Sequence, residues 1–253
     1  MKTLLSLAMI LTLTVQLCAA PIFQEDFSGG VIGNSVTSLG WVSTGDGNNI
    51  KIGSSPGIGS GKSANFMDVT TEWGNIVSKT FAYTPAVNET YTFTVTLTAP
   101  GLNGAYAEAS LSKSGSPLSR AYVDLGYNDI WLRVDNDGGG ALYNGNAKDA
   151  FSNLQPTTPI DVKFELSSTT IKVAARLYGA NTWTYVASGS SYTGGISLAG
   201  FDTVSFTGHG GSAGNVNSLM LTVPEPSMIA LAAAGLTGLL ACARRRKRAT
   251  GAA

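Results

Sequence analysis

The sequence predicts an all-β protein, an antiparallel β-sandwich, held between two terminal segments of different character. Three observations carry that expectation. Apolar and polar residues alternate with a period of two along the middle of the chain, the pattern of strands with one buried face. Residues 21–223 hold 28 of the 31 glycines and seven of the nine prolines, a density at which no long helix persists. All 22 aromatic residues lie between Phe23 and Phe206, so the material for a core is confined to that stretch. About 200 residues can bury a sizeable core as one β domain. A parallel β-helix is the competing architecture, and the lack of any fixed-period repeat counts against it.

Residues 1–20 come first. Met1-Lys2-Thr3 opens with a positive charge, Leu4 to Leu17 is mostly apolar, and Cys18-Ala19-Ala20 ends in small residues. This is the pattern of a secretory signal peptide, which signal peptidase would cut after Ala19 or Ala20. Leu17 is bulky where a lipoprotein signal needs a small residue, so Cys18 is not read as a lipid attachment point.

The β domain is expected over 21–222. Tyr91, Phe93, Val95 and Leu97 alternate with threonines. Val162, Phe164 and Leu166 alternate with Asp161, Lys163 and Glu165, and Ile171, Val173 and Ala175 with Lys172, Ala174 and Arg176. Val204 with Phe206, and Leu219 with Leu221 and Val223, give shorter versions. Turn signals separate the runs: Gly29-Gly30, Asp46-Gly47, Pro56-Gly57, Pro100-Gly101, Asp137-Gly138 and Gly194-Gly195. Strands at this spacing point to a sandwich or jelly roll.

The last segment spans 223–248, with a short tail at 249–253. Val223-Pro224-Glu225-Pro226-Ser227 leads into 16 uncharged residues, 228–243, read as a single transmembrane helix. A spanning helix usually needs about 20 apolar residues, with about 17 the lower limit, and flanking arginines can extend the span by snorkelling. Arg244, Arg245, Arg246, Lys247 and Arg248 follow. Five cations on one flank keep that end in the cytoplasm and place the β domain outside.

Motif, short helix and basic cluster in that order resemble the PEP-CTERM sorting signal of Gram-negative bacteria, with Pro224, Glu225 and Pro226 as its name-giving tripeptide. The resemblance implies recognition by an exosortase, a membrane-embedded cysteine transpeptidase that cuts near the motif. It also implies export across the inner membrane, transient anchoring, and delivery to the cell surface or an exopolysaccharide matrix such as a biofilm. Separately, Phe23 to Gly29 resembles the first strand of concanavalin A-like and laminin-G-like jelly rolls. Gly214 to Leu219 resembles their last strand, which returns beside the first.

Charge and residue types exclude several chemistries. Residues 21–223 hold 10 basic and 15 acidic side chains, a net charge of −5, which does not suit a nucleic-acid binder. Cys18 and Cys242 both lie in the terminal segments, so no disulfide scaffold is expected. No catalytic residue is identified, and no enzyme is expected. Glu25 and Asp26 are adjacent and would point to opposite faces of a strand, and Glu165 stands alone. His209, the only histidine, sits in Gly208-His209-Gly210-Gly211, read as a connector loop. The ligands of a zinc site are missing.

Binding is better supplied. Asp135-Asn136-Asp137-Gly138 places oxygen ligands ahead of a glycine turn, as calcium loops do, although the same residues suit an acidic hairpin turn. Trp73, Trp131, Trp183 and Tyr185 are candidate sugar platforms, with core or rim packing as the other role. The strand pattern puts Trp131 and Arg133 on one face, away from Ile130 and Leu132, and pairs Trp183 with Tyr185. These features, with the resemblances, imply a non-catalytic surface protein that contacts extracellular polysaccharide. A polysaccharide-degrading enzyme (hydrolase or lyase) and a purely structural coat protein are the alternatives.

Overall fold

Alternation of buried and polar side chains generates two stacked antiparallel sheets. A computed structural model describes residues 21–45, 49–55, 58, 61–66, 76–86, 89–98, 106–114, 116–126, 130–136, 141–146, 158–187, 196–209 and 214–223. The strands are β1 (Pro21–Glu25), β2 (Val42–Ser43), β3 (Lys51–Ser54), β4 (Lys62–Asn65) and β5 (Val77–Thr80). Next come β6 (Thr90–Thr98), β7 (Tyr106–Lys113), β8 (Ser116–Gly126), β9 (Ile130–Asp135) and β10 (Ala141–Asn146). The last five are β11 (Pro159–Ser167), β12 (Ile171–Leu177), β13 (Thr184–Ala187), β14 (Phe201–His209) and β15 (Asn215–Thr222).

One sheet runs β13-β12-β11-β6-β15-β4-β3, with β1 also paired to β15, and the other runs β10-β9-β8-β7-β14-β5-β2. Every strand pairing is antiparallel, with β1 returning beside the last strand. This is the expected sandwich, and the parallel β-helix falls. The runs beginning at Tyr91, Val162 and Ile171 become β6, β11 and β12, whose core rows (Phe93, Val95, Val162, Phe164, Val173) are fully buried.

Aromatic rings fill one end of the core. The ring centres of Trp41 and Phe206 stand 4.6 Å apart and those of Phe27 and Phe206 5.8 Å apart, both edge to face, a geometry that ring quadrupoles favour. The Phe66 side chain occupies the space where a Cβ of Gly208 would be, so the glycine in β14 makes room for a ring.

The compact β unit runs Pro21–Val223, with Val223 buried and packed in the core beyond the end of β15. Two expectations need correction. His209 closes β14 opposite Tyr106 rather than lying in a connector. Glu25 and Asp26 do not divide between two faces of a strand. Glu25 ends β1, and both carboxylates cap the turn after it: Phe27 N–H donates to Glu25 Oε1 and Ser28 N–H to Asp26 Oδ1. Those bonds hold Phe27 at φ 58°, a left-handed conformation uncommon for a bulky residue. The helix expected at 228–243 falls outside the described residues, among which no helix is long and apolar enough to cross a membrane.

Candidate functional site

The face of the seven-stranded sheet turned away from the core is polar, and strand register sorts its side chains into rows. Directly opposed residues on antiparallel strands share a face and stand about 4.5–5.5 Å apart at Cβ. One row reads Thr207, Glu108, Asp124, Trp131 across β14, β7, β8 and β9. The next reads Ser78, Ser205, Ser110, Tyr122, Arg133, Asn144, from β5 to β10. A third, shorter row holds Thr80, Thr203, Ser112 and Arg120.

The face has two parts. Over β5, β14, β7 and β8 a cleft of about 340 Å³ is lined by the hydroxyl residues of these rows together with Glu108, Arg120, Lys113 and Ile76. That volume lies within the roughly 300–1,000 Å³ of small-ligand sites. Ser110, Ser112, Glu108 and Thr207 are all buried at its floor, so β7 is hidden on both faces. Beside the cleft, β8 and β9 raise a shoulder of aromatic and charged side chains. There the Arg120 guanidinium lies 4.1 Å from the Tyr122 ring centre.

Electrostatics tie the two parts together. Arg133 Nε donates to Asp135 Oδ1 at 2.6 Å, and Arg120 Nε lies 3.7 Å from Asp135 Oδ2. Arg120 also reaches Glu108 Oε1, at 3.5 Å, long for a charge-assisted bond, which is usually about 2.7–2.9 Å. Burial pushes the Glu108 carboxyl above the usual carboxylate range, against the pull of the Arg120 guanidinium. The Tyr122 phenol is likewise pushed up by burial. Thr207 Oγ1 is buried with no hydrogen-bond partner.

The sequence candidates fall in different places. Trp131 is 42 % exposed on the shoulder, sharing its face with Arg133. Trp183 and Tyr185 lie on the other sheet's outer face beside cations: Arg176 stands 4.3 Å and Lys163 4.9 Å from the Trp183 ring centre, and Lys163 5.2 Å from that of Tyr185, which is itself 47 % exposed. Their rings are engaged in intramolecular cation–π contacts. Asp135 is buried and held by two arginines, while Asn136 is exposed. Among the described residues no group of three or more His, Cys, Asp or Glu could hold a metal ion. Trp73, Asp137, Pro224, Glu225, Pro226 and the cluster Arg244, Arg245, Arg246, Lys247 and Arg248 lie outside the described residues. Glu108, Arg120, Tyr122 and Asp124 were not among the sequence candidates. The signal for Glu108 was the alternation of Ala107, Ala109 and Leu111 with Glu108, Ser110 and Ser112, which small residues make faint.

Residues 222–247 match the PEP-CTERM protein-sorting motif, so the chain carries that signal directly after its last strand. Among proteins of curated function, none matches the chain. Among solved structures, the CBM2 module of the evolved Dit protein of Lactobacillus casei BL23 phage J-1 is similar at 10% identity and TM-score 0.48, over 80% of this chain and 95% of that one. The metal-free exoplasmic/lumenal domain of VIP36 is similar at 14% identity and TM-score 0.43, over 63% and 79%. A mutant of the GH43 protein BlXynB of Bacillus licheniformis is similar at 13% identity and TM-score 0.44, over 79% of this chain but 39% of that protein.

Proposed function

We propose that this chain is an exported, exosortase-sorted surface protein whose sandwich contacts extracellular polysaccharide without cleaving it. The observation that carries the proposal is Trp131, 42 % exposed on a sheet face made mostly of polar and charged side chains. An exposed ring offers a stacking surface for the C–H face of a sugar, and the polar rows beside it supply donors and acceptors for the hydroxyls. The sorting motif supports a route through the inner membrane of a Gram-negative bacterium. Signal peptidase would act at the N-terminus, residues 228–243 would anchor the chain briefly, and an exosortase would release it to the cell surface or biofilm matrix.

Affinity electrophoresis through gels containing different polysaccharides tests the binding. At least one glycan should retard the protein, and Trp131→Ala should weaken that retardation about tenfold, or about 1.4 kcal/mol. Equal retardation of both proteins would remove Trp131 from the site. Asp135 acts in this reading as an anchor for two arginines rather than as a calcium ligand, so added calcium should leave retardation and melting temperature unchanged. One observation favours the degrading alternative: Glu108 and Asp124 stand opposite one another, and glycoside hydrolysis uses a carboxyl pair. Release of reducing sugar from any retarding glycan would establish that alternative, and none is expected.

A further inference from the structure

We propose that Glu108, at the floor of the hydroxyl-lined cleft, and Arg120, at its edge, form a clamp for a vicinal diol of a neutral sugar ring. The proposal rests on the polysaccharide-contact reading and names the chemistry that its cleft selects. Glu108 Oε1 and Arg120 NH1 face each other across 3.5 Å, an acceptor and a donor whose mutual bond is not closed to its usual length. Two neighbouring sugar hydroxyls satisfy both groups at once: one donates a hydrogen bond to the carboxylate while the other accepts one from the guanidinium.

Three further observations fit the same ligand. Thr207, directly opposite Glu108, keeps its Oγ1 buried and unpartnered in the cleft lining, at a cost that a ligand hydroxyl would relieve. Ile76 lines the same cleft and is 42 % exposed, an apolar wall for ring C–H groups. Charges of both signs stand around the clamp, with Glu108, Asp124, Asp135 and, bonded to Ser114, Asp202 set against Lys113, Arg120 and Arg133. A site of mixed sign does not select strongly for an acidic or a basic sugar, whereas an uncharged polyol can use its donors and acceptors alike.

Saturation-transfer NMR on the full protein, with methyl glycosides of glucose, galactose and mannose, their monodeoxy analogues and methyl glucuronide, tests the clamp. At least one neutral glycoside should bind at millimolar concentration, and removing either hydroxyl of one adjacent pair should weaken it about tenfold. The glucuronide should bind no better than its neutral parent. Glu108→Gln and Thr207→Val, checked for native melting, should each weaken the same glycoside. Deoxy analogues that bind as well as the parent, or unchanged binding to folded Glu108→Gln, would overturn the clamp. Retention by polysaccharide gels with no response to any glycoside would also overturn it, while leaving the wider reading in place. Loss of both would remove the two together.

Discussion

Glu108 shows how one residue couples burial, charge and function. Burial raises its folded-state pKa above the usual range, while in the unfolded chain it titrates near 4.3. The folded protein therefore keeps the proton to a higher pH, and ionisation above the raised pKa counts against folding. Compared with Glu108→Gln, which has no proton to lose, wild type should gain stability as the pH falls from neutral through that pKa. Urea unfolding of both proteins across that window checks this, and a difference that is flat with pH would refute it. Asp202 has the opposite sign. Burial raises its pKa, but the N–H and hydroxyl of Ser114 and the hydroxyl of Thr203 outweigh burial and hold it below the usual value. Its contribution is present above about pH 4 and is lost as the pH falls through the folded pKa. Trp131 was legible from sequence because large aliphatics flank it. Glu108 was not, because Ala107 and Ala109 mark the core side of β7 only faintly. Gly208 shows the same limit: its role is set by Phe66, distant in sequence. Gly208→Ala should cost about 1–3 kcal/mol, the usual range for overpacking, measured by thermal or urea unfolding.

At the scale of elements, the strands that announced themselves carry the other sheet's outer face. β6, β11 and β12 alternate β-branched or aromatic residues with threonine and charge, so their register could be expected from pattern alone. What the pattern did not show was the row that register creates. Ser218, Thr96, Asp161 and Arg176 stand opposite one another across β15, β6, β11 and β12. Ser218 Oγ donates to Thr96 Oγ1 at 3.0 Å, and Thr96 Oγ1 donates to Asp161 Oδ1 at 2.8 Å. Arg176 Nε closes the row on Asp161 Oδ2 at 2.8 Å. The Asp161 side chain is 5% exposed, so its charge depends on these donors. Asp161→Ala should destabilise the domain by about 3 kcal/mol, because it strands a guanidinium and a hydroxyl in a partly buried row. Asp161→Asn, which keeps a hydrogen-bond acceptor, should cost less, and equal losses in urea unfolding would show that charge alone matters. Sequence could name Asp161 as outward-facing, but not as the hub of a row spanning four strands.

At the scale of the whole molecule, the fold begins at Pro21 and ends at Val223, next in sequence to the expected signal peptide and to the sorting motif. Pro21, the first residue after the expected signal peptide, opens β1 and pairs with Thr222 of β15. That last strand also pairs with β6 and β4, so it is an interior element of its sheet. Val223, the first residue of the sorting motif, is buried in the core, and Pro224 follows with no spacer. A cut upstream of Val223 would therefore strip an interior strand of its end and expose core side chains. A cut at or beyond Pro224 would leave every strand pairing intact. Intact mass of protein recovered from its host should show loss of about the first 20 residues and a new C-terminus at or after Val223. Glu225→Ala should raise the fraction of uncut precursor if the motif is what the protease recognises, because that substitution removes the only charge in residues 223–227. A mature chain ending before Leu221 would refute the structural argument. Equal processing of Glu225→Ala and wild type would refute recognition through the motif while leaving the fold's boundary untouched.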